Sequence, residues 1–184
     1  NAPLGGVRVL LDGYGSFSPE GAFEAPGRTF LVAIPAGGGA RVEASVIEAD
    51  ALGALILARV TGKRLVRGED EIAATEYFVP ENDPWEGRII YPLAEAGTPS
   101  MMGRQRVLPI RINPLIAGEG GYSLARRISV TVHLESPKER FDSADATPRP
   151  VSGAWKKVYD GTIVNPGDAE RFGAPAKERG FTMS

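Results

Sequence analysis

Hydrophobic and polar positions alternate along much of this chain with the period of two that marks a strand facing water on one side. The clearest case is residues 128–134. Ile128, Val130, Val132 and Leu134 share one face there, and Ser129, Thr131 and His133 share the other. Arg41, Glu43 and Ser45 alternate with Val42, Ala44 and Val46 in the same way. Residues 29–35 are almost wholly apolar, as in a strand buried on both faces or at a sheet centre. Residues 7–11, 55–60, 77–80, 88–93 and 106–112 complete the predicted strands. Pro109 in the last of these suggests an edge or a bulge, because proline has no N–H for the ladder. A strand spacing of about 8–12 residues fits an all-β fold, an antiparallel β-sandwich of jelly-roll-like kind.

Past Glu135 the pattern changes. Ser136, Pro137, Lys138, Glu139 and Arg140, then Pro148, Arg149 and Pro150, form a polar, proline-containing linker. The tail beyond carries Trp155, Val158, Tyr159, Ile163 and Val164, and the spacing predicts a short helix over 168–172. The expected organisation is a β-sandwich domain over 1–136 and a less regular linker and C-terminal extension over 137–184, leading toward a following domain.

Composition narrows the function classes. A chain of 184 residues can bury one good core. Its 23 glycines and 15 prolines leave little room for long helices. The net charge of -2, with Lys and Arg spread along the chain, excludes the basic patch that nucleic acid demands. The longest apolar run, residues 51–58, falls well short of the roughly 20 residues that insert in a membrane. There are no cysteines, which removes disulfides, thiolate metal sites and a cysteine nucleophile together. Asn1 in first position points to a trimmed or processed chain.

Little in the sequence speaks for catalysis. His133 is the only histidine, lies on the polar face of a regular strand, and has no neighbouring nucleophile marked for it. The acidic groups Glu69, Asp70 and Glu71, and Glu81 and Asp83, lack the spacing of a calcium loop. Gly37, Gly38 and Gly39 are not followed by the Lys-Ser/Thr of a phosphate loop and read as a turn. No catalytic residue, metal site or cofactor is expected.

The segment 100–106 is different. Met101, Met102, Gly103, Arg104 and Arg106 join two adaptable apolar side chains to two planar cations, a combination suited to a partner's cleft. The plainer alternative is a hairpin loop whose methionines cap the end of the core.

Several segments, taken in order, resemble the amino-terminal region of gingipain-type cysteine proteases, the C25 family of clan CD, whose precursors carry a β-sandwich prodomain. Residues 30–37 are similar to that family's apolar strand ending in proline before a glycine turn. Tyr91, Pro92 and Leu93, then residues 103–107 and the run Ile112, Asn113, Pro114, Leu115, resemble its approach to an Asn-Pro element. Residues 128–134 resemble the closing strand after it. Trp155 to Tyr159, Ile163 to Asn165 and Ala169 to Arg171 resemble the connection into the protease domain. There are departures: residues 21–26 match the family's entry loop only loosely, and Arg111 and Ile112 replace its Gln-Tyr.

This resemblance implies a non-catalytic prodomain, secreted or at the cell surface, whose partner is its cognate cysteine protease catalytic domain. The prodomain would assist folding of that domain and keep it latent, with a basic loop in the active-site cleft; Arg104 and Arg106 are both candidates. A second reading is a secreted adhesion or carbohydrate-binding β-sandwich module, in which Trp85 and Trp155 would serve a sugar platform.

Overall fold

The computed structural model describes residues 6–16, 18, 22–36, 38–67, 73–78, 91–135 and 152–172; residues 62–67, 73–78, 170 and 171 are described as backbone alone. Among these residues the strands are β1 (Gly15–Ser16), β2 (Pro26–Ile34), β3 (Ala40–Gly53), β4 (Gly62–Arg67), β5 (Ala73–Phe78), β6 (Ala94–Ala96), β7 (Ser100–Met102), β8 (Gln105–Ile112), β9 (Leu115–Gly118) and β10 (Gly121–Leu134). Helices α1 (Gly153–Thr162) and α2 (Pro166–Phe172) follow. The fold is all-β and of sandwich type. One sheet has the order β1-β2-β8-β6 with β7 also on β8, a second the order β3-β10-β9, and β4 and β5 form a ribbon.

Strand β8 shows how a proline is accommodated away from a sheet edge. Its buried positions are Gln105 and Val107, then Leu108, Ile110 and Ile112, so the inward parity switches between Val107 and Leu108. Such a switch is what a bulge-like irregularity produces. Continuing the register that pairs Ser100 with Val107 sets Pro109 opposite the break between β6 and β7, where Gly97 N–H donates to the Pro109 carbonyl at 2.8 Å. The missing proline donor falls where the ladder is already interrupted.

The chain divides into two compact units. The first comprises Asn1–Arg28, Ser45–Leu93 and Ile112–Ser129. Its core gathers Ala25, Leu57 and Leu115, with Val9, Phe23, Leu52, Leu55, Tyr91 and Tyr122 packed against them. Residues 7–11 and 55–60, expected as strands, form only isolated bridges here, Val7 with Leu57 and Arg59 with Phe23. Their backbone groups are satisfied in short exchanges. Val7 N–H donates to Ile56, Ala58 N–H to Val7, Glu24 N–H to Ala58 and Val60 N–H to Ala22, at 2.7 to 3.0 Å. Peptide served on both sides by different short segments needs no long ladder. Asn113, of the Asn-Pro element, is buried, and its Nδ2 donates to the Pro92 carbonyl at 2.7 Å. Gly121, at φ +115, opens β10 so close to the chain that a Cβ would lie 2.3 Å from the Gly53 carbonyl oxygen.

The second unit comprises Thr29–Ala44, Ala94–Arg111 and Val130–Ser184. Its core joins Ala33 of β2 and Val107 of β8 to Tyr159 of α1, Ile163 and Ala169 of α2, with Met102 and Phe172 alongside. Residues 152–172, from the expected extension, thus supply three of its five buried members. Helix α1 was not anticipated from the sequence, although Trp155, Tyr159 and Ile163 recur every four residues, the spacing of one helical face. It ends at Ile163, whose backbone is extended and bridges Leu31 in parallel; Val164 N–H then donates to the Leu31 carbonyl at 2.9 Å. Next, Asn165 imitates a strand residue with its side chain. Its Oδ1 accepts from Ala33 N–H at 2.7 Å and its Nδ2 donates to the Ala33 carbonyl at 3.1 Å. Pro166 starts α2 at the position where its missing N–H is harmless. The short helix expected over 168–172 is α2, begun two residues earlier.

Candidate functional site

Two antiparallel strands joined by two residues favour turns with φ > 0 at the first central residue, because only those match the right-handed twist of the strands. Strands β7 and β8 meet that requirement. Ser100 pairs with Val107, Met101 with Arg106 and Met102 with Gln105, which leaves Gly103 and Arg104 as the turn. Gly103 has φ +61, a conformation that costs glycine nothing sterically. The segment 100–106 is therefore a closed hairpin with a two-residue tip.

The five residues singled out in the sequence separate into two groups. Met101 is 58% exposed, whereas Met102 is half-buried against the core of the second unit. Arg104 is exposed, and no hydrogen bond or ion pair holds it among the described residues. Arg106 is half-buried, with Nη1 donating to the Gly38 carbonyl at 2.8 Å. Between the arginines, Gln105 is buried and its Nε2 donates to the carbonyls of Ile34 at 3.0 Å and Arg106 at 2.6 Å. Met101 and Arg104 thus stand at the exposed tip with Gly103, while Met102 and Arg106 are committed to the unit that carries it.

Two further residues belong to this site. The Tyr159 hydroxyl donates to the Met102 carbonyl at 3.0 Å. The indole of Trp155 lies over Gly103, where a Cβ would come within 3.0 to 3.1 Å of its ring. The two rings are 5.6 Å apart at their centroids and tilted by 39°. The sequence offered a signal for them in their four-residue spacing, but not their meeting with a hairpin some fifty residues earlier.

The remaining candidates lie elsewhere. His133 is half-exposed on β10, with Nε2 3.2 Å from a Glu43 carboxylate oxygen, the solvent-facing strand histidine that its alternation implied. Residues 69–71, 81–83 and Trp85 lie outside the described residues. Among the described residues no three acidic or histidine side chains gather as a metal site requires, and no helix is long and apolar enough to cross a membrane.

Among solved structures, the complex of Porphyromonas gingivalis RgpB pro- and mature domains contains a chain that matches this one with a TM-score of 0.53. The match covers 89% of this chain and 85% of that one, at 14% sequence identity. The chain adopts the fold of a component of that gingipain complex. A second structure, described as giving insight into zymogenic latency of gingipain K from the same organism, aligns over 67% of this chain and 71% of its own. Its identity is 15% and its TM-score 0.46, too low to carry weight for the fold. No family model and no curated protein matches the sequence. The fold-level match agrees with the resemblance read from segments between residues 30 and 171.

Proposed function

We propose that this chain is the non-catalytic prodomain of a gingipain-like cysteine protease precursor, secreted or at the cell surface. In this reading it assists folding of the catalytic domain, its partner, and holds it latent. Residues 137–184 are the extension toward that domain, with the described part, 152–172, anchored in the second unit. The observation that carries the reading is the shared fold with a chain of the RgpB pro- and mature-domain complex, reached independently by the order of motifs in the sequence.

Within this proposal the hairpin tip enters the active-site cleft, and Arg104 is the blocking cation. Arg106 already has a carbonyl partner in the buried Gly38 and would have to give it up, leaving that acceptor without its donor. Among the described residues Arg104 has no such commitment. Its planar fork suits a carboxylate at the base of a specificity pocket, and Met101 beside it offers apolar contact area.

The test is inhibition in trans. Purified 1–184 is titrated against the catalytic domain of the same precursor, expressed separately. Saturable inhibition that Arg104→Ala weakens by about thirtyfold or more, and Arg106→Ala much less, is the expected result; loss of a hydrogen-bonded charge pair of this kind costs about 2–5 kcal/mol. Equal inhibition by both variants and the parent would remove the tip mechanism, and no inhibition by the parent would remove the prodomain reading.

A further inference from the structure

The tip is short, yet it is held from outside its own hairpin. A free two-stranded ribbon is marginal in water at best, and β7 supplies only three residues to this one. What orders it comes from α1, about fifty residues further along the chain. Tyr159, only 3% exposed, fixes the carbonyl of Met102 through its hydroxyl, and the Met102 side chain packs into the cluster that includes Tyr159. One residue on, Trp155 covers the backbone of Gly103 so closely that any other residue would displace the ring. Trp155 nonetheless remains 42% exposed, so it is a surface residue pressed on a turn and not a member of the core. Two aromatic side chains, one helical turn apart, thus grip the two consecutive residues that precede Arg104.

We infer that Trp155 and Tyr159 are positioning residues for the Gly103–Arg104 tip, fixing its backbone in the free domain so that Arg104 is presented preformed to the partner's cleft. This rests on the prodomain reading above and adds to it the device that sets the affinity. A segment that must be ordered on binding gives up part of its interaction free energy to that ordering, and a preformed one does not. The Arg104 side chain stays free to adjust, while its Cα is held by the residues behind it. Neither aromatic side chain needs to touch the partner for this, and both act through the backbone of residues 102 and 103.

The experiment has two readouts on the whole chain. Hydrogen exchange of the amides of residues 101–105 is measured in free 1–184, and inhibition kinetics are measured against the catalytic domain of the same precursor. Tyr159→Phe removes one hydroxyl and keeps the buried ring, so it isolates the hydrogen bond without opening the core. Trp155→Ala removes the cover from Gly103 at a partly exposed position. Exchange at the tip should rise about tenfold in each variant, with amides of Ile110, Ile112 and β9 unchanged. Inhibition should weaken about tenfold, mostly through slower productive association. Arg104→Ala serves as the contrast, losing inhibition with tip exchange unchanged.

Unchanged tip exchange in both aromatic variants overturns the inference. So does faster tip exchange with undiminished inhibition, which would mean that the grip exists but binding does not use it. If Trp155→Ala unfolds the second unit, which exchange at Ile110 would reveal, Tyr159→Phe alone decides between these outcomes. Absence of inhibition by the parent chain is a separate failure, because it removes the prodomain reading before any variant is compared.

Discussion

The two units of this chain solve the same packing problem with different material. The first draws on residues up to 129, and its core is closed by short exchanges between segments such as 6–7, 22–24 and 56–60. The second takes Tyr159 and Ala169 from two late helices and Ile163 from the extended link between them, and ties them to β2 through Asn165, 132 residues beyond the Ala33 it serves. Backbone-to-backbone closure tolerates most side chains but depends on glycines where chains approach closely, as at Gly6 and Gly121. Closure by a side chain depends on that one residue. The units should therefore fail in different ways: the first to added volume at a glycine, the second to removal of a polar clamp or of the late helices. The candidate tip lies in the second unit, so it inherits this reliance on distant residues.

The largest effect is expected from ending the chain at residue 151. That removes the three late core members, each contributing about 1.5–3 kcal/mol of apolar burial where large, together with the Asn165 clamp. Amides of Ala33 and Val107 should lose protection from hydrogen exchange while those of Leu57 and Ala125 keep theirs. Uniform loss in both units would show them to be one cooperative body and break the comparison.

Next comes Gly121→Ala, which combines φ +115 with a Cβ placed 2.3 Å from the Gly53 carbonyl oxygen. A cost of about 3 kcal/mol is expected, from strain and overpacking together. It should be read as faster exchange in the first unit alone.

Asn165→Ala should cost about 2 kcal/mol, because it leaves both the N–H and the carbonyl of Ala33 without their partner. Chemical denaturation with exchange readout should assign that loss to the second unit. An effect below a few tenths of a kcal/mol would mean that water or a relaxed backbone replaces the clamp.

The smallest effect concerns pH. Burial raises the Tyr122 phenol above its ordinary range in the first unit, so the folded protein holds that proton more tightly than the unfolded chain. Its contribution is fully present below the unfolded pKa, about 10, and is lost as pH rises through the folded value. Stability of the first unit should therefore decline more steeply above pH 10 than in Tyr122→Phe. Superimposable profiles would remove Tyr122 as a contributor.

Much of this protein was legible in its sequence. Period-two alternation over 128–134 and 41–46, together with the apolar run 29–35, located β10, β3 and β2, because the pleat imposes that period wherever one face is covered. Pro109 announced an irregular ladder. The order of motifs pointed to a gingipain-type β-sandwich, a fold the chain shares with a component of the RgpB complex, and the run from Met101 to Arg106 drew attention by composition alone. Tertiary structure decided the rest. Residues 7–11 and 55–60 have strand-like composition, yet whether a ladder forms depends on what lies beside them, and only short segments do. Trp155, Tyr159 and Asn165 look ordinary in a polar tail, since nothing local records that a carbonyl fifty residues away needs a donor or that Ala33 needs both a donor and an acceptor. Arg104 and Arg106 are equivalent by composition. They differ only because the chain returns Gly38 to within 2.8 Å of Arg106 and leaves Arg104 at a turn, and such long-range proximity is a property of the folded chain alone.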